Sequence, residues 1–150
     1  MKCPHVALRL FEPGDLDHVM ALVTSTFDQL FSEEMYLALQ QTWPEAQIID
    51  VENGRLAGVL LSMKRGPNVG RVLVMAVREG FRDMGIGSHL LRAFIKQCIR
   101  EGISSIVLEV RESNLLAQGF YRRFGFRSVE SMAAYYPDGE DAVVMTLDIA

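Results

Sequence analysis

The chain has 150 residues, 49% of them hydrophobic, and a formal net charge of −4. That length and apolar content suit one domain, residues 1–150, with a sizeable core. No apolar run is long enough to span a bilayer, and the acidic balance argues against a non-specific nucleic-acid binder, which needs a basic face.

The cysteines Cys3 and Cys98 make no disulfide framework, and no basic stretch followed by an apolar run opens the chain. A reducing cytoplasm is therefore the expected setting. Neither cysteine sits in a C-x-x-C pair and His5, His18 and His89 are scattered, so no metal site is expected.

Residues 6–11 alternate as a first strand, broken by Pro13-Gly14. Asp15 is placed to cap a helix carrying Leu16, Val19, Met20, Val23 and Phe27 on one face. A second helix is expected over 33–41, ended by Trp43-Pro44. Two strands follow at 47–51 and 56–64, joined by the hairpin signal Asn53-Gly54. Residues 72–77 read as a buried strand, and a helix runs from Gly87 to about Glu101, with Gly102 at its end. The chain closes with a strand at 105–111, a helix at 114–124 and strands at 127–133 and 142–149. The order β-α-α-β-β-β-α-β-α-β-β implies an α/β fold: a mixed sheet of about seven strands with helices on both faces.

The turn between the strand at 72–77 and the next helix is Arg82-Asp83-Met84-Gly85-Ile86-Gly87, an R-x-x-G-x-G pattern. A glycine-rich turn opening a helix leaves backbone N–H groups unpaired at the positive end of the helix dipole, which suits phosphate. Leu90 stands where a dinucleotide-binding fingerprint needs its third glycine, and no lysine follows the glycines as a P-loop requires. The remaining pattern resembles the coenzyme A loop of the GNAT N-acetyltransferases.

Further along stand Leu108-Glu109-Val110-Arg111-Glu112-Ser113-Asn114, Phe120 to Phe126, and the tyrosine-bearing loop Ala134-Tyr135-Tyr136-Pro137-Asp138-Gly139-Glu140-Asp141. With the glycine loop, these segments resemble the RimI-like GNAT enzymes, which acetylate protein N-termini, over about residues 72–149. The first seventy residues match more loosely, through Leu-x-x-x-Trp-Pro at residues 39–44. The resemblance implies a mostly antiparallel GNAT fold, acetyl-CoA as cofactor, and the N-terminal α-amine of a protein or peptide as acceptor, with ribosomal proteins among the candidates.

Glutamate is depleted in strands, so Glu109 is conspicuous within Ile106-Val107-Leu108 and Val110, though a wet strand face would also explain it. The resemblance makes it the general base. An α-amine with a pKa of ~8 is mostly protonated near neutrality and must lose a proton to attack. Tyr121 is by residue type a core aromatic beside Phe120 and Phe124; by resemblance it is the general acid for the leaving thiolate. Asn114 is a helix cap on its own residue type and a pantetheine contact by resemblance.

In GNAT folds the strand before the glycine loop bulges and parts from its neighbour, here near Val77, freeing backbone donors. The implied cofactor residues are Met75, Ala76, Val77, Arg82, Asp83, Met84, Gly85, Ile86, Gly87, Ser88, Asn114 and Tyr121. Arg82 has a second reading, as the residue that holds the loop. The implied acceptor wall is Phe31, Glu33, Tyr36, Tyr135 and Tyr136.

Two departures matter. Glu79 stands where a proline often follows the strand, and Phe81 stands where one related enzyme has a catalytic tyrosine, which shifts weight to Glu109. The alternatives are a GNAT enzyme for a small amine or lysine side chain, a CoA-binding regulatory module without turnover, and a subunit that recruits a complex to ribosomes. No direct nucleic-acid or membrane partner is expected.

Overall fold

The computed structural model describes residues 7–27 and 31–149, so Cys3, His5 and Val6 lie outside the described residues. The elements are β1 (Leu8–Leu10), α1 (Leu16–Thr26), α2 (Glu33–Thr42), β2 (Ile48–Glu52), β3 (Arg55–Lys64), β4 (Val69–Val77), α3 (Ile86–Arg100), β5 (Ser105–Arg111), α4 (Leu115–Arg123), β6 (Arg127–Met132) and β7 (Ala142–Asp148). Their order is the one read from the sequence. They form one α/β domain whose seven strands lie in the order β1-β2-β3-β4-β5-β7-β6. Among the described residues β4 and β5 run parallel and every other strand pair is antiparallel.

Two apolar layers cover the sheet. Leu90, Leu91 and Phe94 of α3 pack on Leu60, Val72, Ile106, Leu108 and Met145. On the other face Val19, Leu22 and Val23 of α1 and Tyr36 and Leu39 of α2 pack on Ile49, Val59, Leu61, Val74 and Ala76. At Gly58 of β3 a Cβ would stand 2.9 Å from Ile86 Cγ2 and 3.0 Å from Leu90 Cδ1. Only glycine lets the first turn of α3 lie so close to the sheet.

Some local expectations change. Asp15 makes no side-chain cap on α1. Its two oxygens accept from Arg9 at 2.8 Å each, and one also accepts from the Glu12 N–H. Ser32 caps α2 through the Met35 N–H. Trp43 is buried against Phe94 and donates to Glu101 at 2.8 Å, joining the end of α2 to the end of α3.

β4 decides where a site can form. Leu61 pairs with Val74 and Ser62 with Val72, so Leu73 is an extra residue, a β-bulge. The bulge reverses the alternation: Val72 faces the α3 layer, while Val74 and Ala76 face α1 and α2. It lies at Leu73, upstream of the expected Val77. β4 pairs with β5 only over Val69–Arg71, opposite Ser105–Val107. Beyond that rung the two strands part.

Candidate active site

The chain between β4 and α3 is held by its own backbone. Arg78 N–H donates to Ala57 O, Phe81 N–H to Arg78 O, and the Arg82 guanidinium reaches back to Val77 O at 3.1 Å. The loop-holding reading of Arg82 is thus the contact made. Gly85 caps α3 in the left-handed region (φ 80°) and offers no side-chain acceptor. The N–H groups of Ile86, Gly87 and Ser88 have no carbonyl within the helix to meet and are left for a ligand. A Cβ at Gly87 would make ordinary contacts with Met75, Val77 and Phe120 at 3.7–3.8 Å, so this residue lies on the floor of a space bounded by α3, β4 and α4.

That space is a cavity of about 470 Å³, lined by Met75, Val77, Phe81, Arg82, Asp83, Gly85 to Ser88, Leu116, Ala117, Phe120, Tyr121 and Arg123. Nine of the implied cofactor residues are therefore on one surface: Met75, Val77, Arg82, Asp83, Gly85, Ile86, Gly87, Ser88 and Tyr121. Three are not. Ala76 is buried on the α1/α2 face, turned away by the bulge. Met84 packs on the core beneath the loop. Asn114 lines a different cavity and caps α4, accepting from Ala117 N–H at 3.1 Å.

The gap beside β4 supplies donors. The Arg78 N–H to Ala57 O bond makes Gly58↔Val77 a non-hydrogen-bonded rung. The Val77 N–H, and by alternation the Met75 N–H, therefore point away from β3, toward the side β5 has left.

A second cavity of about 340 Å³ opens along the same gap, lined by Thr26, Phe27, Phe31, Val72 to Met75, Leu108 to Arg111, Asn114, Ala117, Tyr121 and Tyr136. The two cavities share Met75, Ala117 and Tyr121. Tyr121 packs edge-on to Phe120 and Phe126, and burial pushes its phenol well above the usual tyrosine range. It therefore keeps its proton at any ordinary pH. Among the described residues its hydroxyl has no hydrogen-bond partner.

Glu109 faces the second cavity with a 9% exposed side chain. Its Oε1 accepts from Arg71 Nε at 3.0 Å and Nη2 at 2.6 Å, and Arg65 Nη2 stands 3.6 Å from Oε2. Arg71 Nη2 also donates to the Tyr135 hydroxyl at 3.0 Å. The neighbouring Tyr136 lies under the Arg111 guanidinium, 4.2 Å from its ring centroid, and Arg111 donates to Asp138 and Glu140 at 2.8 Å each. Burial is the main cause that pushes the Tyr136 phenol up to about 12.

Of the implied acceptor wall, Phe31 and Tyr136 line the cavity and Tyr135 joins it through Arg71. Glu33 does not: it is exposed on the first turn of α2, where acidic residues suit the helix dipole. Tyr36 does not either; it is 1% exposed and packs edge-on behind Phe31. Thr26, Phe27, Leu73, Arg65, Arg71 and Arg111 were not foreseen. Arg71 gave the same signal as Glu109, a charge inside an apolar strand.

Residues 16–126 match the model of the acetyltransferase (GNAT) family. The chain belongs to the GNAT acetyltransferases. As a member it is an acetyl-CoA-dependent acetyltransferase, and its sheet and helices are the GNAT fold. It is 33% identical over 139 residues to an uncharacterised N-acetyltransferase of Methanocaldococcus jannaschii, covering 92% of this chain and 88% of the relative. Among solved structures it superposes on Ard1 from Thermoplasma volcanium with a TM-score of 0.92 at 30% identity, covering 97% and 98% of the two chains. It superposes on the ribosomal-protein-S18-alanine N-acetyltransferase of Escherichia coli with a TM-score of 0.85 at 26% identity, covering 97% and 95%.

Proposed function

We infer that this GNAT enzyme acetylates the N-terminal α-amine of a protein or peptide. The observation that carries the reading is the pair of cavities meeting at Tyr121, one built on the glycine loop and the other on Glu109 and the tyrosine loop. The first fits acetyl-CoA: helix-end N–H groups suit a pyrophosphate, and the cavity between α3 and α4 suits a slender pantetheine arm. When bound, the cofactor supplies an acetyl thioester.

The second cavity is the acceptor's. Among the described residues Glu109 is the only acidic one on its walls, and Arg71 already holds it. A polyamine pocket would need several carboxylates free to meet its charges. Apolar Phe27, Phe31 and Leu73, with Tyr136 opposite, suit a first side chain and the peptide behind it. The Escherichia coli relative is named for the nitrogen of an alanine, and in a protein that nitrogen is a free amine only at the N-terminus. Ribosomal-protein N-termini are accordingly the first natural targets to test, in the cytoplasm.

In the chemistry, Glu109 takes the proton of the acceptor ammonium, directly or through water. The Met75 and Val77 N–H groups stand ready for the thioester oxygen, where charge develops. As the acceptor nitrogen bonds to the acetyl carbon and the carbon–sulfur bond breaks, Tyr121 would pass its proton to the sulfur and regain one from the nitrogen, which must shed a second proton to become the amide.

The test is acetyl transfer to short peptides of varied first residue, beside N-terminally blocked lysine peptides and small amines. Transfer to free N-termini, graded by the first two residues, is the expected result. Transfer confined to blocked peptides or small amines would overturn the acceptor assignment and leave fold and cofactor standing.

A further inference from the structure

Glu109 does not stand alone on its wall. The last rung shared by β4 and β5 is Arg71↔Val107, and two residues later the bulge at Leu73 carries β4 away. Arg71 therefore stands at the fork of the gap. Its guanidinium donates twice to Oε1 of Glu109, at 3.0 and 2.6 Å, and once to the Tyr135 hydroxyl, at 3.0 Å. The three groups come from β4, β5 and the loop between β6 and β7. A planar guanidinium with fixed donors serves both partners at once, which a lysine ammonium, a point charge on a flexible stem, does less well.

The geometry also divides the two oxygens of Glu109. Oε1 is occupied by Arg71. Among the described residues Oε2 has no hydrogen bond and one ion pair, with Arg65 at 3.6 Å, whose side chain is 54% exposed. Oε2 is thus the oxygen free to meet an acceptor.

We propose that Arg71 is a positioning residue that fixes the Glu109 carboxylate and the Tyr135 wall as one unit, so that an acceptor seated against the tyrosines is aimed at Oε2. This rests on the reading of the Glu109 cavity as the acceptor site. Arg71 lines neither cavity and has no hydrogen bond or ion pair with residues 78–88. Its effect falls on the acceptor and spares acetyl-CoA.

The experiment compares the wild type with R71Q, R71K, Y135F and R71Q/Y135F, using steady-state kinetics in both substrates and amide hydrogen exchange. In R71Q, kcat/KM for the acceptor peptide falls about ten-fold, the size expected when a hydrogen bond to a charged group is lost. The KM for acetyl-CoA stays constant, and R71K restores part of the acceptor loss. Y135F costs activity in the wild-type background and nothing further in R71Q, because one link cannot be cut twice. Amides at 134–141 exchange faster in R71Q and Y135F, while those of α3 do not change.

Equal losses for both substrates, additive effects of R71Q and Y135F, or unchanged exchange at 134–141 would each overturn the proposal. If the wild type acetylates no peptide but exchange at 134–141 still rises in R71Q, the tie between Arg71 and the loop stands and the peptide reading falls.

Discussion

The two sides of the gap are built from different materials. The cofactor side is mostly backbone: a left-handed Gly85, unpaired N–H groups at the start of α3, and the outward-pointing Met75 and Val77 amides of β4. The acceptor side is mostly side chain, with Glu109, Arg71, Tyr135, Tyr136 and Arg111 converging from β4, β5 and the β6–β7 loop. Backbone sites are set by local conformation and tolerate change in neighbouring side chains. Side-chain sites depend on long contacts and are where members of one fold diverge. Variants on the two sides should therefore fail in different kinetic terms.

The largest effect is expected at the chemistry. Glu109→Gln keeps an oxygen for Arg71 to hold but cannot take a proton, so kcat should fall about 10²-fold or more while acetyl-CoA binding is unchanged. Tyr121→Phe should lower the single-turnover rate without altering the affinity for acetyl-CoA. An undiminished single-turnover rate in either variant would remove that residue from the mechanism. On the other side of the gap, Gly85→Ala forces a side chain into a left-handed position, a cost of about 1–2 kcal/mol. The KM for acetyl-CoA should rise about ten-fold, with acceptor KM constant; a change confined to the acceptor would erase the distinction between the two sides.

The smallest effect on turnover is expected at Asp50, which lines neither cavity. Its carboxyl is fully buried, and burial, then Glu52, push it up to about 7. The folded chain thus binds this proton more tightly than the unfolded chain. The associated stability is complete below the unfolded value of 3.8 and is lost as pH rises toward 7. Asp50→Asn should raise Tm at pH 8 by several degrees, a gain of roughly 2–4 kcal/mol, and the gain should vanish near pH 4. Melting curves at the two pH values decide it, and either KM moving would show that the two sides are less insulated than their contacts imply.

The same contrast explains what the sequence made legible. The glycine loop was readable because its chemistry is local: spacing, missing side chains and a helix start lie within six residues. Glu109 stood out as a charge within an apolar strand. Arg71 carried that signal too, but the strand was read as beginning at Val72, three residues after its actual start at Val69. The bulge at Leu73 was hidden for a different reason. Val72, Val74 and Ala76 alternate as if on one face, and only the pairing with β3 reveals that Val72 faces the other way. Glu33 and Tyr36 do not line the cavity, because composition cannot say which side of a helix meets one. Asp15 has the residue type and position of a cap, but Arg9 lies close enough to take both its oxygens.

Gly58 has a reach beyond its own strand. No residue of β3 lines either cavity, yet Ile86, the first residue of α3, rests 2.9 Å from where a Gly58 Cβ would be. A methyl group there would press on the Ile86 and Leu90 side chains, so Gly58→Ala is expected to disturb the start of α3, read as a raised KM for acetyl-CoA. The seating of the helix that opens the cofactor cavity thus depends on a strand residue that lines neither cavity.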